Sequence, residues 1–218
     1  MELKVRCSEL SNLMTKGRSK AEPLGETAKS YIQEKAKCDF YGLKPILENK
    51  YLSKGIANEQ IGIDLVNQVR FMDFIKNTDR IDVGWLTGEC DINADDRIID
   101  IKCSWSFDTF PAFEEEAQKS VKKAGYDWQM RGYMMLYNKE VAEVIYCLTS
   151  TPDSLLSAWD DVSMHKVDHV EAEKRITAVR IERDVEIEEQ IKEQYKIGNE
   201  YYKECINQLT TKNQQSWI

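Results

Sequence analysis

A chain of 218 residues is long enough for one well-cored domain and too short for two independent enzymes. Its 42% hydrophobic and 31% charged residues are ordinary for a globular protein, and no apolar run approaches the length needed to cross a bilayer. The net charge of -8 argues against indiscriminate nucleic-acid binding, while leaving room for basic residues gathered beside an acidic pocket.

Met1-Glu2-Leu3-Lys4-Val5-Arg6-Cys7 has no apolar signal core, so the expected location is the cytoplasm. Six cysteines are scattered with no C-x-x-C pair, which suggests reduced, largely buried thiols rather than a disulfide framework or a zinc site. Ser8 or Ser11 precedes apolar residues at helical spacing and is expected to cap a short helix, with Lys16, Arg18 and Lys20 following. Residues 23–36 read as a helix with Pro23 in its first turn, and residues 48–75 as a longer one with Ile56, Ile63, Val66 and Val69 on its apolar face. Three strands are predicted at 82–86, 89–93 and 97–103, forming an antiparallel meander. A loop carrying Trp105, Phe107 and Phe110 leads to a helix over 113–137 and a largely buried strand over 141–149. From 168 to 209 the pattern is charged and nearly continuously helical, with a strand-like interruption at 180–184. The expectation is a single α/β domain over residues 1–218, with a helical C-terminal cover over about 168–218.

The chemistry concentrates between Gly88 and Ser104. In the strand over 97–103, Ile99 and Ile101 alternate with Asp100 and Lys102, so the acid and the lysine leave one face together. The turn Asn93-Ala94-Asp95-Asp96 favours a fold-back that brings Asp91 near Asp100. Two carboxylates converging beside a lysine are costly unless a bound cation or a reaction repays the arrangement. Exposed strand faces are normally polar, so the acid-x-lysine triplet by itself says little.

Four elements in order give it context. They are Lys54-Gly55-Ile56-Ala57-Asn58-Glu59 on the long helix, Gly88-Glu89-Cys90-Asp91, Asp100-Ile101-Lys102-Cys103-Ser104, and Gln129-Met130-Arg131-Gly132-Tyr133 with its i, i+4 pair. Together they resemble the PD-(D/E)XK nuclease superfamily, and within it the lambda-type and YqaJ-like phage exonucleases, with RecB and Cas4 nuclease domains as more distant relatives. The resemblance covers residues 51–148. It departs from the family pattern in carrying Asp100 where many members have Glu, and in having no proline before Asp91. It implies a restriction-endonuclease-like core over about 51–150, in which helices flank a central mixed sheet.

By this resemblance the chain is a metal-dependent DNA exonuclease. Asp91 and Asp100 would be ligands to magnesium or manganese, with the backbone carbonyl of Ile101 and with Glu59, directly or through water. Lys102 would orient or deprotonate the attacking water, or offset phosphate charge. Gln129 would orient the reacting side of the site, and Tyr133 would support the substrate or the core. Ser104 and Trp105 would contact the DNA backbone and stack on an unpaired base, or else close the edge of the core. Arg6, Ser8 and Ser11 lie where related exonucleases hold a terminal 5′ phosphate. Further implied partners are linear duplex DNA, sister subunits closing a ring and a single-strand annealing protein of phage recombination. The rival readings are a structure-specific or restriction-type endonuclease of the same fold, and a catalytically silent DNA-binding or assembly protein. An iron-sulfur cluster is not expected, because only Cys147 and Cys205 follow the Gln129–Tyr133 helix. His165 and His169, four apart and with no third ligand nearby, are expected at the surface.

Overall fold

β5 (Ile98–Cys103) is the strand around which the site is built, and its neighbours explain its sequence. The computed structural model describes residues 1–19, 22–45 and 49–215; Lys20, Glu48 and residues 216–218, which fall within the readings above, lie outside the described residues. β5 runs antiparallel to β4 (Ile92–Asn93) and parallel to β6 (Val141–Cys147), which pairs antiparallel with β7 (Ile176–Glu182). The parallel β5–β6 step needs a crossover. It is supplied by α4 (Glu114–Ala124) and α5 (Tyr126–Tyr137).

The two faces of β5 are covered by different helices. Ile99 and Ile101 pack with Ile63 and Val66 of α3 (Lys50–Arg70). Ile98 shares the other cluster with Met130 and Met134 of α5, so Asp100 and Lys102, in step with Ile98, face the α5 side. α3 lies close against β5 at Gly62, where a Cβ would stand 2.5 Å from Ile101 Cγ2. A glycine is required there by the close approach of helix and strand.

A second sheet joins β1 (Val5–Arg6), β3 (Leu86–Gly88) and β2 (Ile81–Asp82), with β3 in the middle. The predicted meander is therefore split. β2 pairs with β3 in one sheet and β4 with β5 in the other. The helix expected over 113–137 breaks at Gly125, whose φ of +74° ends α4 in a left-handed cap before α5 begins. The strand signal at 180–184 belongs to the longer β7, and the helix after it is α6 (Val185–Gln215).

At the N-terminus, Ser8 lies within a 3-10 turn, Cys7–Glu9, and Ser11 lies inside α1 (Leu10–Leu13). Neither serine caps a helix: Arg6 precedes the turn and Glu9 precedes α1. α2 (Glu26–Tyr41) starts three residues after Pro23, with Gly25 at its N-cap. α6 docks on this N-terminal layer rather than extending away from it. Ile191 and Tyr202 are buried, the Tyr202 hydroxyl donates to Asp39 Oδ2 at 2.8 Å, and Gln194 Nε2 donates to the Pro23 carbonyl at 3.0 Å. Among the described residues, no helix is long and apolar enough to cross a membrane.

Candidate active site

β4 is only two residues long, and its pairing with β5 stops at Ile92–Ile99. The next N–H of β5 on that edge, at Ile101, would lose its partner. It donates instead to Asp91 Oδ2 at 2.6 Å, so the acid's side chain takes the place of a ladder bond and is fixed against β5. The Ile101 carbonyl shares that edge of the strand.

Asp100 is 2% exposed. Its Oδ1 accepts from Gln129 Nε2 at 3.2 Å, and Gln129 Nε2 also reaches the Tyr133 hydroxyl at 3.0 Å. Its Oδ2 lies 2.5 Å from Lys102 Nζ as a charge contact, without the alignment of a hydrogen bond. Lys102 in turn sits 4.4 Å from the centroid of the Tyr126 ring.

These contacts set the protonation of the group. Burial, and then the charge of Asp100, push Asp91 up to about 8 against the pull of Lys102 and the Ile101 N–H. For Lys102, burial acts to lower its affinity for the proton; the charges of Asp100, Tyr126 and Asp91 outweigh it and hold the ammonium above its usual range. Burial and then Asp100 raise the Tyr133 hydroxyl.

A cleft of about 620 Å³ opens over these groups and is also lined by Glu59, Ser104 and Trp105. Glu59 reaches it from α3, where its Oε1 meets Lys76 Nζ at 2.8 Å. Among the described residues, no three His, Cys, Asp or Glu side chains lie close enough together to hold a metal ion. Glu59 is thus brought to the cleft but held by a lysine rather than gathered with the two aspartates. Lys54 of the same helix is 1% exposed, and its ammonium donates to the carbonyls of Ser104 at 2.5 Å, Thr149 at 2.8 Å and Trp105 at 3.0 Å. Burial pulls its pKa down to about 8. The amine nails α3 to the ends of β5 and β6, which places Glu59.

Arg6, Ser8 and Ser11 do not line this cleft. Arg6 Nη2 meets Glu9 Oε1 at 2.7 Å in a separate cavity of about 420 Å³ shared with Tyr31 and Lys35. Ser8 is exposed, and Ser11 packs against Gly125. The expected serine-capped helix terminus is corrected, because a helix of four residues with no side-chain cap has no organised row of free N–H groups. His165 is corrected too. It is 4% exposed, its Nδ1 lying 3.1 Å from the Trp105 carbonyl, while His169 is at the surface.

Tyr126, Tyr51 and Lys76 escaped the sequence reading. Tyr126 stands three residues before Gln129 and seven before Tyr133, a helical spacing that placed it on the same face. Lys76, in the segment after α3, carries no periodic signal at all.

Buried Asp100, partly buried Asp91 and the neighbouring Ile101 carbonyl give hard oxygen donors beside one lysine, a set that fits magnesium or manganese, while burial raises the Cys103 thiol on the cleft wall, which donates to the Asn58 carbonyl. A crystal structure of a phage-related exonuclease from Haemophilus somnus 129PT is similar to this chain, with a TM-score of 0.90 and 40% sequence identity over 96% of this chain and 97% of that one. The chain belongs to the phage-related exonuclease family. An alkaline exonuclease from Laribacter hongkongensis, LHK-Exo, matches with a TM-score of 0.66 and 16% identity over 97% of this chain and 94% of its own. Its complex with dAMP matches with a TM-score of 0.65 at 17% identity, over the same shares of the two chains. At that identity the likeness shows the fold alone. No family model and no curated protein matches the chain. For a phage-related exonuclease, the resemblance drawn from four short motifs and the likeness of the whole fold lead to the same group.

Proposed function

We propose that this chain is a magnesium-dependent exodeoxyribonuclease, for which manganese would also serve, hydrolysing phosphodiester bonds from the ends of linear duplex DNA. The observation that carries the reading is the meeting of Asp91, Asp100 and Lys102 on the floor of one cleft, in a chain of the phage-related exonuclease family. Asp91, Asp100 and the Ile101 carbonyl would hold the cation, with Glu59 joining directly or through water once it leaves Lys76. A cation so held supplies Lewis acidity at the phosphoryl oxygen and a more acidic water.

The protein's own groups do the rest. Gln129 fixes the orientation of Asp100, and Tyr133 backs Gln129. Lys102 is held as an ammonium, which supports its role as a positive charge on the phosphate over that of a base. Ser104, just after β5, lines the same cleft, but its Oγ is buried and without a partner among the described residues, so its contact with the substrate backbone belongs to this reading through the family resemblance. Recognition of a 5′ phosphate through Arg6, a ring of sister subunits, an annealing-protein partner in phage recombination and a cytoplasmic location belong to this reading through the family resemblance.

The presence of both acids and the lysine in one cleft supports catalysis over a silent assembly role. End-labelled linear DNA and covalently closed circles incubated with magnesium provide the test. Linear duplex should be degraded and circles spared, with no cleavage in chelator. Rapid nicking of closed circles would overturn the exonuclease in favour of an endonuclease.

A further inference from the structure

The loop that follows β5 is held more firmly than its place on the cleft rim requires. A single carbonyl oxygen, that of Trp105, accepts from Thr151 Oγ1 at 2.8 Å and from Lys54 Nζ at 3.0 Å, and lies 3.1 Å from His165 Nδ1. All three side chains are buried. The ring is fixed as well: His165 packs edge-on at 5.2 Å and Tyr51 edge-on at 5.3 Å between centroids, and Lys50 Nζ lies 4.5 Å from the indole centroid. An indole fastened in this way would ordinarily belong to the core. Trp105 instead forms part of the cleft wall, and its neighbour Tyr51 is 59% exposed.

Local structure explains how the pair meets. Asn49 Oδ1 accepts from the Leu52 N–H at 2.9 Å and caps α3, which sets Lys50 and Tyr51 in the first turn. Tyr51, Gly55 and Glu59 then follow one another at four-residue intervals along the helix. Gly55 has nothing within 4 Å of where a Cβ would stand, so a low, open trough joins the aromatic pair to Glu59. The eight steps from Tyr51 to Glu59 span about 12 Å at 1.5 Å per residue. That is the reach of a few nucleotides, at about 3.4 Å per stacked step.

We propose that Tyr51 and Trp105, with Lys50 beside them, form a nucleobase subsite of the cleft: an unpaired base near the cleaved end stacks in the Tyr51–Trp105 corner while the adjoining phosphate meets Lys50. This rests on the exonuclease reading. Stacking suits an enzyme that degrades DNA of any sequence, because every base offers a π face. Lys50 is shared with Asp160 at 3.5 Å, a long pairing in which the lysine is exposed and the acid partly covered, so the lysine is free to turn to a phosphate. Aromatic residues that merely closed the core edge would have no reason to keep Tyr51 in solvent.

The test combines Tyr51→Ala, chosen because that side chain is mostly in solvent and its loss spares the fold, with Trp105→Phe. Kinetics are measured on linear duplexes carrying one abasic nucleotide at each of the first five positions from the cleaved end. Tyr51→Ala should raise KM about five- to twentyfold, the lower range for loss of one base stack, with kcat within twofold; Trp105→Phe should change KM by less. At one position the abasic nucleotide should raise the native KM by a similar factor and erase the difference between native and Tyr51→Ala enzyme. Binding of a fluorescein-labelled single-stranded oligothymidylate in calcium should weaken in Tyr51→Ala by the same factor. A KM for Tyr51→Ala equal to the native value, or a defect that persists at every abasic position, would overturn the subsite. Native enzyme that binds the oligonucleotide but cuts no linear DNA would overturn the exonuclease reading instead.

Discussion

Glu143 on β6 and Asp100 on β5 are buried acids on adjacent strands, and they are neutralised in opposite ways. Glu143 meets two cations, Arg70 Nη1 at 2.5 Å and Arg97 Nη1 at 3.3 Å, the second of them also paired with Asp96. Asp100 shares a single lysine with Asp91, so two carboxylates crowd around one ammonium. A buried acid kept for stability is matched with positive charge, since an uncompensated charge is the expensive outcome. The site beside it is left short of positive charge, and a divalent cation would make up the difference.

Removing the deficient cluster should cost activity and removing the satisfied one should cost stability. The largest expected effect is in cleavage: Asp100→Ala and Lys102→Ala should each lower kcat by more than about a hundredfold, the scale of an electrostatic or acid–base contact. Their thermal midpoints should stay within a few degrees of the native protein. If either variant cleaved at near-native rate with magnesium, that residue would leave the site. Glu143→Ala should do the reverse, losing about 3 kcal/mol in urea titration, the low end for breaking a buried pair, while keeping near-native kcat. A stable, inactive Glu143→Ala protein would undo the contrast.

The third effect concerns metal. Calorimetry should show calcium binding without turnover in the native protein, weakened at least about tenfold in Asp91→Ala, because calcium's looser shell accepts the same oxygens. Unchanged affinity in that variant would remove Asp91 from the ligand set.

The smallest effect is a pH dependence in the metal-free protein. Asp91 keeps its proton up to about 8 when folded, whereas an unfolded chain releases it near the ordinary carboxylate value of about 4. Between those values the unfolded state binds fewer protons, so this group's contribution to stability is present at low pH and falls as pH rises. In chelator, Asp91→Asn should melt a few degrees higher than the native protein at pH 8 and no higher at pH 4. A native melting temperature in which Asp91→Asn makes no difference at pH 8 would mean that the two acids are not crowded.

How legible this was in the sequence depended on the range of the interaction. Asp100 and Lys102 could be read because strand alternation is local, and Gln129 with Tyr133 because helical spacing is. β2 and β4 have two residues each, too few to show alternation, so the division of the meander between two sheets left no trace. The N-terminal serines matched a capping pattern, yet the helix they precede has four residues and its course is set by packing rather than by a cap. His165 was misplaced because its partners, Trp105 and Thr151, are 60 and 14 residues away in the chain. Glu59 was found through its neighbours in the motif, but its pairing with Lys76 arises where a segment returns across α3, and nothing in either residue's vicinity announces it.

Lys54 defines how small a piece of this protein can be moved elsewhere. Its three protons are spread over carbonyls from two separate strand ends, a tripod that the planar fork of arginine does not reproduce. A scaffold given Asp91, Asp100 and Lys102 alone would receive the acids without the fastening that aligns the helix opposite them. The transplantable unit is therefore the first three turns of α3, the end of β5 and the end of β6 together, and an attempt to graft fewer parts would inherit the charges without their arrangement.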